Sequence, residues 1–201
     1  GKLILKWEEV LGLTLAEVNE AKGLIRLGCH SAVAQYTLPH FLAEFLNRNP
    51  YVDIQLSHGL SRHMTEQVVS GTLDIAIAVN PNANADLIIK ELFKDEVCLW
   101  QATHNQNEDV LILEPNLLQT QDILAKFRKA GIHFTRVIES SSLEVIASLV
   151  AQGVGCGILP ERVLRTVEKT KYIKIPGSPQ VSDRICLVYK KEFRKLKRGQ
   201  L

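Results

Sequence analysis

The run LIRLGCH (24–30), SAVAQYTLPHFLAEFLNRNP (31–50), YVDIQLSHG (51–59), LSRHMTEQVVSG (60–71) and LDIAIAV (73–79) decides the fold class. The first, third and fifth segments are short apolar stretches of strand length. The two between them carry helical spacing: Leu38, Phe41, Leu42 and Phe45 share one face, as do Met64 and Val68. Strands separated by helices indicate a parallel sheet covered on both sides. This is a βαβαβ unit. Pro39 interrupts its first helix, where an interior proline costs about 3 kcal/mol. That helix therefore starts near Thr37, or starts at Ser31 and bends.

Downstream, LIIKELF (87–93) and EVCLWQA (96–102) read as two strands separated only by Lys94-Asp95. A second cycle follows: strand VLILE (110–114), helix NLLQTQDILAKFRKAG (116–131), strand FTRVIES (134–140), helix SSLEVIASLVAQG (141–153) and strand VGCGILP (154–160). A short helix over 160–166 and strands YIKIP (172–176) and RICLVYK (184–190) complete it. RICLVYK has no helix partner before it, so the two α/β halves should be joined by more than one crossing, near Glu96–Trp100 and near Leu187–Tyr189. Upstream, Ile4, Trp7, Leu11, Thr14, Val18 and Ala21 recur in steps of three and four, and Gly23 is a stop signal. The chain thus opens with an expected helix whose apolar stripe needs a partner, within the chain or on a second subunit.

Composition bounds the function. With 46% hydrophobic and 23% charged residues the chain is an ordinary globular one, and its formal charge is +2. Six basic residues and one acid fall between Lys190 and Arg198; without that stretch 18 basic residues face 21 acids. The body therefore lacks the Lys/Arg excess that binds nucleic acid by releasing counterions. Cys29, Cys98, Cys156 and Cys186 are scattered without a CxxC pair, which suits neither zinc nor a disulfide framework. Reduced thiols suit the cytoplasm, and no signal sequence or apolar run of membrane length is seen, so no membrane partner is expected.

Catalytic signatures are missing: no GxSxG, no P-loop and no HExxH. Gly153-Val154-Gly155-Cys156-Gly157 is GxGxG rather than the dinucleotide fingerprint, and it enters a strand instead of leaving one. Close packing of a helix end against a strand is its expected role. His58 and His63, with Glu66 beyond, are too few for a metal site. No catalytic residue, metal or cofactor is assigned. The informative places are strand ends that hand over to helices, where free N–H groups gather. One is Gly28-Cys29-His30-Ser31; another is Glu139-Ser140-Ser141-Ser142. Each serine there either caps a helix or meets a ligand, and three in a row exceed what one cap needs.

Several of these segments together resemble the C-terminal part of LysR-type transcriptional regulators. They are Leu24-Ile25-Arg26-Leu27-Gly28; Leu38-Pro39 with Phe41-Leu42-Ala43-Glu44-Phe45 and Asn49-Pro50; Ser70-Gly71-Thr72-Leu73-Asp74-Ile75-Ala76-Ile77; and Leu149-Val150-Ala151-Gln152-Gly153-Val154-Gly155-Cys156-Gly157-Ile158-Leu159-Pro160. The resemblance implies two Rossmann-like α/β lobes of periplasmic-binding-protein type joined by two crossing strands. It implies a linker and dimerisation helix over residues 1–22, lobe I over 23–97 and 188–201, and lobe II over 98–187. The partners it implies are a small-molecule effector held between the lobes, a second copy in a homodimer or homotetramer, and DNA only through a winged helix-turn-helix absent from this chain. In the family pattern a Ser-x-Thr often precedes the first-helix proline by nine and seven residues; here those positions hold His30 and Ala32, with Ser31 between. The expected anchors, for an effector expected to be anionic, are His30, Ser31 and Asn80 from one lobe and Ser141 and Ser142 from the other. The competing expectation is a periplasmic-type solute-binding protein, which shares the architecture.

Overall fold

The computed structural model describes residues 23–167 and 172–194. The expected linker helix over 1–22, and the end of the basic tail, lie outside them. The chain divides into two compact units, one reaching to Lys94 and resuming at Arg184, the other spanning Asp95–Asp183.

In unit 1, β1 (Gly23–Cys29) leads into helix α1 (Ser31–Thr37), a 3₁₀ turn (Leu38–His40) and helix α2 (Leu42–Arg48). β2 (Val52–His58), α3 (Ser61–Ser70) and β3 (Ile75–Val79) follow. The Pro39 question resolves into a helix that starts at Ser31 and breaks. Pro39 sits in the 3₁₀ turn, where its missing N–H costs no helical bond, and a new helix starts beyond it. The strand order is β2-β1-β3-β9-β4, where β9 is Val181–Lys190 and β4 is Leu87–Ala102. β1 runs parallel to β2 and β3, and β3 antiparallel to β9.

Side-chain alternation explains why these strands read as unbroken apolar runs. Ile75, Ile77, Leu187 and Tyr189 face one layer with Val33, Leu38 and Phe41 from the α1–α2 segment. Ala76, Ala78, Cys186 and Val188 face the other with Met64 and Val68 of α3. Both faces are covered, so neither register position can be polar.

Unit 2 takes up the rest of β4 and adds β5 (Val110–Leu113), α4 (Leu118–Ala130), β6 (Arg136–Glu139), α5 (Leu143–Ala151), β7 (Cys156–Pro160), α6 (Glu161–Leu164) and β8 (Tyr172–Lys174). The order is β4-β7-β5-β6, with β8 pairing β4. β5 is parallel to β6 and β7, and β4 antiparallel to β7 and β8. Its core includes Val97, Leu99, Leu111, Leu113, Ile123, Phe127 and Ile158. LIIKELF and EVCLWQA, expected as two strands, form the single sixteen-residue strand β4. Lys94-Asp95 offers no glycine or proline to turn the chain, so extended backbone carries through.

The glycines of GxGxG are used for contact. A Cβ on Gly155 would lie 2.7 Å from the Val110 carbonyl oxygen, and one on Gly157 would lie 2.4 Å from Val150 Cγ2 on α5. α5 and β5 can close on β7 only where side chains are missing.

At the amino ends of the parallel strands each unit has an acid–guanidinium fork. Asp74 accepts from Arg26 N at 2.8 Å, from its Nε at 3.1 Å and from its Nη2 at 2.9 Å, tying β1 to the entry of β3. In unit 2, Asp109 accepts from Arg136 Nε (3.2 Å) and Nη2 (3.0 Å) and from Thr135 Oγ1 (2.6 Å). Those bonds hold the Asp109 carboxyl down at about 2.

Asp95 behaves oppositely. It is 7% exposed; Oδ1 accepts from Glu96 N at 2.9 Å, and Oδ2 has no hydrogen-bond partner among the described residues. Burial pushes its carboxyl from 3.8 up to about 6, against the opposing pull of nearby Arg162. The folded state therefore favours the protonated acid. That contribution is fully present below about pH 4 and lost as pH rises through about 6. Asp95→Asn should raise stability at pH 8 by about 1–3 kcal/mol and change little at pH 4, as read by urea midpoints at both pH values.

Candidate functional site

In unit 1, β1 ends at Cys29 and His30 takes the cap position of α1. Its Nδ1 accepts from Ala32 N at 3.2 Å, and its carbonyl accepts from Ala34 N at 2.9 Å. A histidine thus does what Ser or Asp usually does at a cap, and an Nδ1 that accepts carries no proton. Ser31, next along, is half-buried, and its hydroxyl has no partner among the described residues. Asn80, just past β3, is exposed and adopts a left-handed backbone with φ 47°. Its Oδ1 accepts from Arg184 N at 2.8 Å and its N donates to Arg184 O at 2.9 Å, closing the β3–β9 end. Sequence reading missed Ser61, whose Oγ accepts from Val79 N at 2.9 Å and pins the start of α3 to the end of β3.

In unit 2 the triple serine divides its labour. Ser142 caps α5: its Oγ accepts from Val145 N at 3.2 Å and donates to Glu144 Oε2 at 2.9 Å. Ser140 Oγ accepts from Ser142 N at 3.2 Å and holds the turn. Ser141 is exposed, and its hydroxyl has no partner among the described residues. Beside them, Glu114 directly follows β5 and is 2% exposed; its Oε1 accepts from Asn116 N (2.9 Å) and Nδ2 (3.0 Å). As the final letter of VLILE it gave no signal, because an acid after an apolar strand reads as the solvated start of a loop.

His63 engages only its own helix in the bonds seen, with Gln67 at 2.9 Å and Glu66 at 3.7 Å. His58 lies 3.3 Å from the Cys29 carbonyl oxygen. Among the described residues no three His, Cys, Asp or Glu converge to hold a metal ion. No helix among them is long and apolar enough to cross a membrane.

A family model described as the LysR substrate binding domain matches residues 19–198. The chain belongs to that family. The HTH-type transcriptional regulator YofA of Bacillus subtilis is 28% identical over 184 residues, covering 87% of this chain and 64% of that protein. The LysR domain thus spans slightly less than two thirds of that relative. Among solved structures, the reduced form of the OxyR2 regulatory domain from Vibrio vulnificus superposes with TM-score 0.68 at 18% identity, covering 91% of this chain and 94% of that one. The cofactor-binding domain of the Cbl transcriptional regulator gives 0.69 at 18% identity, covering 91% of each. At such identities the likeness concerns the fold. The family match favours the regulator reading over the solute-binding alternative.

The LysR domain keeps all four thiols buried. Burial pushes Cys29 and Cys156 up to about 11 and Cys98 to about 12, and raises Cys186 as well. Thiolate is the reactive species, and a rise of about two units lowers its population roughly a hundredfold. A thiol reagent at pH 8 should therefore label the native domain far more slowly than the urea-unfolded chain, in which all four cysteines react together. Fast labelling of one native thiol would contradict this burial.

Proposed function

We propose that this LysR domain is a non-catalytic sensor that binds a small anionic organic molecule and relays its presence to a helix-turn-helix of the whole regulator. The observation that carries the reading is the LysR substrate binding domain match over residues 19–198. Each unit also offers a serine hydroxyl unclaimed by any cap, Ser31 beside α1 and Ser141 beside α5. Helix starts present free N–H groups and a positive dipole end, which favour a carboxylate or phosphate. His30 and Ser142 already hold backbone groups at the starts of α1 and α5, so their role toward an effector is to fix the turns that present Ser31 and Ser141, while Asn80 holds the β3–β9 end.

Binding that favours one arrangement of the regulator shifts its population, which is how occupancy becomes a signal. In the whole protein we place the domain in the cytoplasm, in a homodimer or homotetramer assembled through the apolar stripe Ile4, Trp7, Leu11 and Val18. DNA is then read by the helix-turn-helix and not by this domain, whose body lacks excess positive charge.

A thermal-shift screen of small carboxylates and phosphates tests the reading. At least one acid should raise the melting temperature by several degrees at ligand concentrations about a hundredfold above Kd. The Ser31→Ala/Ser141→Ala variant should lose most of that gain. Stabilisation only by neutral apolar compounds, or an acid bound unchanged by the double variant, would overturn it.

A further inference from the structure

The chain passes from one unit to the other along β4 and returns along β9, and both strands break their apolar pattern in the same way. Along one face of β4, Phe93 packs on the core of unit 1, Asp95 follows, and Val97 and Leu99 join the core of unit 2. Along β9, Val181 packs on the core of unit 2, Asp183 follows, and Ile185, Leu187 and Tyr189 join that of unit 1. Both aspartates are buried, at 7% and 2% exposed.

The two acids are not equally provided for. Asp183 Oδ2 accepts from Gln119 Nε2 on α4 at 3.1 Å. Asp95 Oδ1 accepts from Glu96 N at 2.9 Å, whereas its Oδ2 is buried with no hydrogen-bond partner among the described residues. A buried carboxylate oxygen without a donor carries its desolvation cost in full, and a proton on that oxygen relieves the larger part, the cost of the charge. On α6, the backbone N–H and the guanidinium of Arg162 favour the ionised acid, and Glu161 opposes it. Arg165, just past α6, is paired with Glu161. On β4 itself Glu96 is held by Lys174 of β8, and the Cys98 thiol lies three positions beyond Asp95. Burial outweighs the attractions, so the carboxyl stands at about 6.

We infer that Asp95 is a proton-sensing residue: unit 2 takes up one proton on Asp95 Oδ2, and that proton loosens the hold of β4 on the start of α6. Ionised, the carboxylate accepts charge-assisted bonds from the backbone N–H groups of Glu96 and Arg162; neutral, it holds both less tightly. The proton binds more tightly where Asp95 is buried than in any arrangement that gives Oδ2 a donor or water. Acid therefore shifts the population toward the buried arrangement. This input is separate from the effector and does not rest on the effector-binding reading.

An NMR titration of the ¹³C,¹⁵N-labelled chain between pH 4 and 8, native and Asp95→Asn, tests it. The side-chain carboxyl carbon of Asp95 should titrate at about pH 6, well above the ~4 of an ordinary aspartate. The amide protons of Glu96 and Arg162 should move upfield with the same midpoint as pH falls, and should stand still in Asp95→Asn. An Asp95 carboxyl still fully ionised at pH 5 overturns the proton site. Amides that stay put while the carboxyl titrates overturn the loosening of α6. So do amides that keep moving in Asp95→Asn, because another group such as a histidine then drives them. If Asp95→Asn does not fold, agreement between the native carboxyl and amide midpoints supports the proposal and disagreement overturns it.

Discussion

A parallel strand buried on both faces cannot be followed by a hairpin; the chain must cross back through a helix before it can pair again in the same direction. That constraint organises each unit. β1, β2 and β3 run parallel around β1, and β6, β5 and β7 run parallel around β5. The helices after β1, β2 and β6 therefore start at the carboxyl edge of their own sheet. Orphan N–H groups, cap residues and spare hydroxyls collect there as a consequence of topology. His30, Ser31 and Ser61 share that edge in unit 1; Glu114 and Ser140–Ser142 share it in unit 2.

The opposite edges are built for stability. The Arg26–Asp74 and Arg136–Asp109 forks use both acid oxygens, the first also taking a backbone N–H and the second a threonine hydroxyl, which fixes strand register where no ligand is needed. Gly155 and Gly157 add a steric constraint, since β7 meets Val110 and Val150 at distances that leave no room for a methyl group. The polar groups of the carboxyl edges are thus presented by a frame tightened from below. A ligand that adds contacts there need not pay for ordering the frame.

Much of this was legible in the sequence for physical reasons. Apolar runs of strand length separated by helical spacing specify a doubly covered sheet, and in the GTLDIAI and VAQGVGCGILP segments most of the letters that carry the family resemblance are buried strand and helix positions. Asp74 illustrates what stays hidden: its partner Arg26 lies 48 residues away, and nothing local announces the fork. The same holds for Glu114 and Asp95, whose burial depends on neighbouring strands and helices. Ser140, Ser141 and Ser142 read alike as letters, and only the geometry shows that two hold the turn and cap while the middle one is spare. Strand β4 was misread at Lys94-Asp95 because charged pairs usually mark turns, whereas here Asp95 is buried and the strand continues.

The central claim is that the chain binds a small acid at the helix starts that carry Ser31 and Ser141. Backbone amide chemical shifts of the ¹⁵N-labelled chain, followed while the best-stabilising small acid is titrated in, test this most directly. The account predicts that amides at these helix starts, Ser31–Ala34 and Ser141–Val145, move and saturate. Saturating binding that leaves both stretches unmoved would contradict it.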